Sequence, residues 1–312
     1  MPYRTLIQAA ELAHLLAAPQ AQVVVFDVSF DLADPAAGSR SYLAGHLPGA
    51  HYLHLDQDLS GAKTGHNGRH PLPDQAAFTH QLAQRGVKPD TQVVVYDRSG
   101  AMLAGRLWWM LRWVGHEDVA VLDGGLQAWQ ALGLALEASE AGTPAGAEAA
   151  EAAAAQAAEA AAPAAQAPAA GQPLPPLPTP PVSTVDRDAL LRNLAHPTRL
   201  VIDARSPDRF RGENETLDPV GGRIPGARNR FFKDNLGPDG RFKPAEVLRA
   251  EFQALTEGRP AQELVMQCGS GVTACHHLLA LAHAGLDGAA LYPGSWSEWS
   301  AWPDAPVATG PA

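Results

Sequence analysis

The chain has 312 residues, of which 46% are hydrophobic, and a formal net charge of −10 at pH 7. This length predicts about two globular domains, and the negative charge argues against a nucleic-acid partner. The chain has only two cysteines, too few for a disulfide-rich secreted domain. Its first residues do not resemble a signal peptide, and no apolar run is long enough to cross a bilayer. We therefore expect a soluble, cytoplasmic protein with no membrane partner.

A strand, a Gly-x-x-Pro-Gly turn and a second strand recur in the same order in two parts of the chain. They lie at 23–28, 45–49 and 93–97 in the first copy and at 200–205, 222–226 and 263–268 in the second. Short apolar strands separated by helical segments are typical of parallel sheets that are covered by helices on both faces. The repetition therefore predicts two small α/β domains.

Between the two copies, the composition changes to Ala, Glu, Gln and Pro. This change predicts a linker at 137–182, with one domain at 1–136 and a second at 183–312. Aligning the two copies places Asp97 opposite Cys268, at the carboxyl end of a strand, where α/β sheets hold their chemistry. Since only the second copy has a thiol there, we expect the first domain to be non-catalytic and the second to be catalytic.

The segment Cys268-Gly269-Ser270-Gly271-Val272-Thr273 joins a strand to a helix that is predicted from about Thr273 to Ala284. The glycines allow backbone N–H groups to point inward, and the helix N-terminus adds positive charge. Such surroundings favour a cysteine thiolate, which is the nucleophilic form, and they would also stabilise a persulfide anion. A buried, inert Cys268 is the alternative. Cys275, inside the predicted helix, is expected to pack in the core rather than to bind a metal.

The duplicated domains, the exchange of Asp97 for Cys268 and the Cys-Gly-Ser-Gly-Val-Thr loop resemble the tandem rhodanese family over both domains. Gly269 and Ser270 are similar to its 3-mercaptopyruvate sulfurtransferase branch, because vertebrate thiosulfate enzymes usually have basic residues at these positions. The resemblance implies two tandem rhodanese-like domains, each a small parallel sheet flanked by helices. It also implies a sulfurtransferase in which Cys268 carries sulfur as a persulfide, without a metal or organic cofactor.

The same resemblance implies the small molecules and proteins that exchange sulfur with the chain. The expected donor is 3-mercaptopyruvate, and a preference for thiosulfate is the alternative. The expected acceptor is a small thiol, cyanide or a thioredoxin-like protein.

The family's donor-binding arginine lies in an Asp-x-Arg-x-x-x-Arg pattern, which here gives Arg209. A guanidinium group can bind a carboxylate or sulfonate with two parallel hydrogen bonds. Arg205 resembles the structural arginine of the same pattern. Mercaptopyruvate enzymes tend to have a second arginine further on, but the stretch 212–219 has none. Arg211 or Arg223 could take its place.

The resemblance further implies a relay in which Asp56 orients His70 and His70 raises the basicity of Ser270. Ser270 would then pass a proton to the enolate that remains when sulfur leaves mercaptopyruvate. A solvated His70 and an Asp56 that caps a turn are the alternatives. The predicted donor-binding residues are Arg209, Gly269, Gly271, Val272 and Thr273.

Three other functions are compatible with parts of the pattern. A cysteine-dependent phosphatase would have an arginine six residues after the cysteine, where this chain has Ala274. A redox protein would have a nearby resolving cysteine, as in Cys-x-x-Cys, but Cys275 lies seven residues after Cys268. A non-catalytic sulfur-carrier or interaction protein stays open as a further alternative.

Overall fold

A computed structural model describes residues 2–139 and 181–311. They form two compact units, each of which combines two separate stretches of the chain. The first contains the described residues of Met1–Ser60 and Pro73–Pro180, and the second contains Gly61–Leu72 with the described residues of Pro181–Ala312. The segment 61–72 thus comes from the first copy of the repeat but belongs to the second unit. The predicted linker 137–182 falls almost entirely on 140–180, outside the described residues.

The first unit is built on a parallel sheet with the strand order β1-β5-β4-β2-β3. Its strands are β1 (Leu6–Ile7), β2 (Val23–Asp27), β3 (His51–Tyr52), β4 (Gln92–Tyr96) and β5 (Val119–Leu122). Its helices are α1 (Ala9–Leu16), α2 (Ala37–Ala44), α3 (Gln75–Gln84), α4 (Ala104–Trp113) and α5 (Gly125–Ala131). The central strands β2 and β4 are rich in valine and mostly buried, as expected for a sheet covered on both faces.

The second unit repeats this topology, with the strand order β6-β10-β9-β7-β8 and parallel pairing throughout. Its strands are β6 (Ser183–Thr184), β7 (Leu200–Asp203), β8 (Arg228–Asn229), β9 (Leu264–Gln267) and β10 (Ala290–Leu291). Its helices are α6 (Arg187–Ala195), α7 (Pro207–Arg211), α8 (Ala245–Thr256), α9 (Ala274–His283) and α10 (Ser295–Trp299). The predicted fold of two small parallel sheets flanked by helices is confirmed. Because the strands are parallel, the segments that follow β7, β9 and β10 meet at one edge of the sheet.

Each sheet has its own apolar core, in which aromatic side chains fill the space between sheet and helices. Trp129 packs in the core of the first unit, and Trp296 and Trp299 pack in the core of the second. These three tryptophans therefore serve packing. Among the described residues, we find no helix with the length and apolar character needed to cross a bilayer.

Helix α9 is held by a buried histidine near its middle. His277 Nε2 donates a hydrogen bond to the backbone oxygen of Arg230 at 2.8 Å. Its Nδ1 lies 2.8 Å from the amide nitrogen of Asn235, from which it accepts. Burial lowers the pKa of His277 to about 3, although the hydrogen bond to the Arg230 carbonyl opposes this. The ring is therefore neutral in the folded protein, and both of its nitrogens are used.

We expect acid to destabilise the protein partly through His277. The folded-state pKa lies below the ordinary value of about 6.5. At neutral pH the residue therefore contributes no pH dependence, and stability falls as the pH drops from about 6.5 toward about 3. One such proton lowers the free energy of unfolding by up to about 1.4 kcal/mol per pH unit. Urea unfolding between about pH 7 and about pH 5 measures this slope.

The variant His277→Gln is the comparison, because glutamine offers a donor and an acceptor but does not titrate. Its unfolding free energy should depend less steeply on pH than that of the unaltered protein. Equal slopes for the two proteins would contradict the assignment to His277, since other buried histidines are present in both.

Candidate active site

Cys268 is buried directly after β9, in a loop whose backbone is held by helix α10. The N–H groups of Trp296 and Ser297 donate to the carbonyl oxygens of Cys268 and Gly269, at 3.0 and 2.9 Å. The N–H of Cys268 donates to Ser295 Oγ at 3.1 Å. These three hydrogen bonds fix the start of the loop, so the position of the thiol is set by secondary structure on both sides.

The turn into α9 depends on Gly271. Its φ is +77°, a left-handed conformation, and a methyl group there would collide with the carbonyl oxygen of Pro293. Glycine meets both requirements without strain. Cys275 follows within α9, where it is buried and its Sγ lies 3.3 Å from the carbonyl oxygen of Gly271. In the described ranges, no group of three or more His, Cys, Asp or Glu side chains could hold a metal.

The corresponding loop of the first unit demonstrates what this turn can hold. Asp97 is fully buried at the end of β4, and its carboxylate accepts four backbone hydrogen bonds. The donors are Ser99 at 2.8 Å, Ala101 at 3.0 Å, Leu103 at 2.8 Å and Ala104 at 2.9 Å. Burial raises the pKa of the Asp97 carboxyl, and the N–H groups oppose the rise. The loop is thus a cradle for two negatively polarised oxygen atoms.

The two loops share the feature that makes the cradle. Gly100 has a φ of +67° and lies three residues after Asp97, as Gly271 lies three residues after Cys268. In both units a helix begins shortly afterwards. We infer that a negative group extending from Cys268 would meet backbone N–H groups in the same way.

Ser270 contacts the histidine that the sequence predicted as its partner. His70 Nδ1 lies 2.7 Å from Ser270 Oγ, and both side chains are buried. A solvated His70 is therefore excluded. Histidine at this distance can accept the hydroxyl proton of serine or return it.

The segment 61–72 reaches the loop because it is attached to helix α10. The N–H of Arg69 donates to Ser297 Oγ at 2.9 Å. Gly68 has a φ of +85°, and a methyl group there would lie 2.7 Å from the carbonyl oxygen of Gly294. Only a glycine allows so close an approach. His70 is thereby placed by the same helix that holds the Cys268 loop.

Asp56 belongs to the first unit, where its backbone N–H donates to His54 Nδ1 at 3.1 Å. Its predicted role in orienting His70 stays a prediction.

Arg205 has the structural role that its place in the motif implied. Its guanidinium binds Asp203 and the carbonyl oxygen of Gly222, and it stacks on Trp296 with 4.6 Å between the guanidinium carbon and the ring centroid. Burial alone would lower its pKa. The negative charges of Asp203 and Glu215 and the hydrogen bond to Asp203 outweigh burial, so the pKa of Arg205 is raised.

Arg209 lies beside the loop, as predicted. A methyl group built on Gly269 would be 3.5 Å from Arg209 Nη2. The same guanidinium donates to Glu215 through Nε and Nη2, at 3.0 and 2.9 Å, and lies 3.4 Å from Asp218. Arg209 is thus held rigidly against the backbone next to Cys268.

The two arginines considered as a second donor-binding residue are engaged elsewhere. Arg211 pairs with Glu213 near the surface, and Arg223 donates to the carbonyl oxygens of Gly310 and Pro311. The residue beside the loop is Arg69, whose Nη2 would lie 3.2 Å from a methyl group on Gly269. Sequence reasoning missed it, although its position directly before His70 was a usable signal.

The sequence matches the rhodanese-like domain family at residues 8–132 and again at residues 186–301. The chain belongs to the rhodanese family. Its two copies are tandem rhodanese domains, and the chain is a sulfurtransferase, as the sequence predicted. A probable 3-mercaptopyruvate sulfurtransferase of Pseudomonas aeruginosa is 45% identical over 307 residues, which cover 98% of each chain. A putative thiosulfate sulfurtransferase of Mycobacterium tuberculosis is 35% identical over 311 residues, covering 99% of this chain and 98% of the relative.

A solved structure gives the same result for the fold. The 3-mercaptopyruvate sulfurtransferase of Leishmania major superposes with a TM-score of 0.73 at 30% sequence identity, covering 95% of this chain and 74% of that one. The names of these rhodanese relatives include two different sulfur donors. The names alone therefore do not identify the donor of this rhodanese.

We expect Gly271→Ala to damage the rhodanese loop more than a matched glycine elsewhere. Gly226 has the same φ of +77°, but a methyl group there would meet no atom within 4 Å. Alanine in this conformation costs about 1 kcal/mol at either position, and the collision with Pro293 adds to this only at Gly271. Urea unfolding should show a loss of about 1 kcal/mol for Gly226→Ala and at least about twice that for Gly271→Ala. Equal losses would show that the loop does not need its glycine.

Proposed function

We propose that Cys268 takes sulfur from 3-mercaptopyruvate and holds it as a persulfide. One observation carries the proposal. The first unit binds the carboxylate of Asp97 with four backbone N–H groups, and Cys268 opens the corresponding turn in the second unit. A cysteine persulfide, like a carboxylate, places a negative atom beyond the side-chain carbon. The cradle would therefore stabilise both the thiolate and the product of its reaction.

In the first step, the Cys268 thiolate attacks the sulfur atom of 3-mercaptopyruvate. A sulfur–sulfur bond forms, and the bond between sulfur and carbon breaks. The electron pair of the broken bond goes to carbon and gives the enolate of pyruvate. The donor's thiol proton is transferred to this enolate, so the products are the Cys268 persulfide anion and pyruvate. Arg209 binds the donor's carboxylate, and the amides of Gly269, Gly271, Val272 and Thr273 surround the sulfur.

Ser270 and His70 move the proton in this step. The 2.7 Å contact between Ser270 Oγ and His70 Nδ1 supports this role. His70 accepts the hydroxyl proton while Ser270 takes the proton of the donor's thiol, and the reverse transfer delivers a proton to the enolate. Thiosulfate has no such proton, because its departing group is sulfite. The assignment of Asp56 to the orientation of His70 is part of the same proposal.

In the second step, an acceptor nucleophile attacks the outer sulfur of the persulfide and releases the Cys268 thiolate. A small thiol, cyanide or a reduced thioredoxin-like protein can serve, since each supplies the electron pair for the new bond to sulfur. We also propose that 183–312 is the catalytic domain and 1–136 the non-catalytic one. The cytoplasmic location expected from the sequence stays a prediction.

The test is kcat/KM for 3-mercaptopyruvate and for thiosulfate on one preparation, with cyanide as the acceptor. A preference for 3-mercaptopyruvate supports the proposal. A preference for thiosulfate would retain Cys268 and reject the proton relay. No turnover of either donor would leave a sulfur carrier or interaction protein.

We expect Cys268→Ser to abolish turnover of both donors, because a serine hydroxyl neither ionises at neutral pH nor forms a persulfide. Cys275→Ser is the matched control. Cys275 is buried within α9, where its sulfur donates to the backbone oxygen of Gly271, so most of the activity should remain. Substantial turnover by Cys268→Ser, measured as thiocyanate formed, would overturn the mechanism.

We expect His70→Ala to slow the reaction of 3-mercaptopyruvate by about 100-fold or more, the usual size of a lost proton-transfer group. Thiosulfate turnover should fall far less, since it needs no proton transfer to carbon. His66→Ala is the control, because His66 lies in the same segment but its ring contacts Trp302, with 4.7 Å between the centroids. Equal losses for the two donors in His70→Ala would argue for a purely structural histidine.

A further inference from the structure

Two guanidinium nitrogens lie beside the Cys268 loop, Arg69 Nη2 and Arg209 Nη1, and neither has a hydrogen-bond partner in the part of the chain that the structure describes. In Arg209, Nε and Nη2 bind the carboxylates of Glu215 and Asp218, which leaves Nη1. In Arg69, Nη1 binds the carbonyl oxygen of Leu217 and the carboxylate of Asp218. Its Nε is buried without a partner among the described residues, and its Nη2 has none there either.

These two nitrogens converge on the same point of the loop. A methyl group on Gly269 would lie 3.2 Å from Arg69 Nη2 and 3.6 Å from Arg209 Nη1. Because residue 269 is a glycine, this volume is not filled by a side chain. Two cationic N–H donors therefore lie close to the loop backbone directly after Cys268.

Both arginines are held in this arrangement by shared partners. Asp218 binds both guanidinium groups and is itself buried. Burial raises the pKa of the Asp218 carboxyl, and the charge of Arg69 opposes the rise. The backbone of Arg69 is tied to Ser297 Oγ, and the N–H of Ser297 holds the carbonyl oxygen of Gly269. Arg69 is therefore attached to the loop itself.

We propose that Arg69 is a second donor-binding residue, which together with Arg209 holds the carboxylate of an α-keto thiol donor over Gly269. This inference rests on the proposed function and deepens it, because it assigns the group that recognises the donor's anionic end. Arg69 takes the role of the second donor-binding arginine, which the stretch 212–219 lacks.

The charges beside Gly269 explain why a carboxylate can bind there. Glu215 and Asp218 neutralise Arg209 and Arg69, so the two guanidinium groups can lie close together without strong repulsion. An anion is then bound by directed N–H donors rather than by excess charge. A carboxylate has two oxygen atoms in one plane, and each can accept from one of the unpartnered nitrogens.

The first experiment does not need sulfurtransferase activity. Iodoacetate and iodoacetamide alkylate thiols and have nearly the same size, but only iodoacetate carries a carboxylate. In a Cys275→Ser background, the ratio of their rates at Cys268 reports anion binding beside the loop. Arg69→Gln should lower this ratio by about 10-fold, the usual effect of losing a hydrogen bond to a charged group.

The control for this experiment is Arg211→Gln, which removes an arginine from the same unit that pairs with Glu213. It should leave the ratio unchanged. If Arg69 were only structural, Arg69→Gln would change both rates by the same factor and the ratio would stay constant. That outcome would overturn the proposal.

The second experiment measures the effect on the donor. Arg69→Gln should raise KM for 3-mercaptopyruvate by about 10- to 100-fold with a smaller change in kcat, since the carboxylate is bound before and during the reaction. Arg69→Lys should recover part of the loss, because it keeps the charge but not the planar fork. An unchanged KM in Arg69→Gln would reject the role of Arg69 in donor binding.

The two experiments separate this inference from the proposed function. If the unaltered protein turned over neither donor but Arg69→Gln still lowered the alkylation ratio, the anion site would stand and the proposed reaction of Cys268 with 3-mercaptopyruvate would fail. If turnover were normal and the ratio did not respond to Arg69→Gln, the proposed reaction would stand and the anion site would fail.

Discussion

A turn that connects a parallel strand to a helix directs several backbone N–H groups toward one point, and these groups must be satisfied when the turn is buried. In the first unit, the carboxylate of Asp97 satisfies four of them. In the second unit, Cys268 stands in the same place with a shorter side chain. The turn that holds a carboxylate in one copy therefore holds a cysteine in the other, and in the proposed reaction this cysteine gains one sulfur atom. In the proposed mechanism, the remaining groups of the site bring the donor and protons to this point.

A set of buried and partly buried ion pairs holds the segments around this turn in place. Arg205 with Asp203 ties β7 to the loop that follows it, and Asp218 binds both Arg69 and Arg209. Removing one partner from such a pair leaves a buried charge that is costly, so these residues constrain one another. The benefit is preorganisation, because N–H donors aimed at a ligand before it arrives need not reorganise during the reaction. Helix α10 connects the turn to these ion pairs, since it binds both the Cys268 loop and the segment 61–72.

The sequence was sufficient to predict a feature wherever the pattern that indicates it is local or repeated. The apolar strands β2, β4, β7 and β9, the helix that follows the loop, and the exchange of Asp97 for Cys268 could all be predicted from spacing and glycine placement. The contact of His70 with Ser270 was also predicted, through the family resemblance. Arg69 was not predicted, because its partner Asp218 lies 149 residues away. Local patterns do not indicate which unit a segment packs against. The sequence near Arg209 therefore pointed to Arg211 and Arg223 instead.

The segment 61–72 lies within the first copy of the repeat but belongs to the second unit, and this limits how the gene can be rearranged. A duplicated gene can normally lose or exchange one copy as long as the other still folds and works. Here the second copy depends on a short stretch that is encoded within the first, where it carries Arg69 and His70. A rearrangement that placed the two halves in separate genes would strip the thiol-bearing half of both side chains. We therefore expect the two copies to be inherited as a single module, even though both cysteines of the chain lie in the second copy.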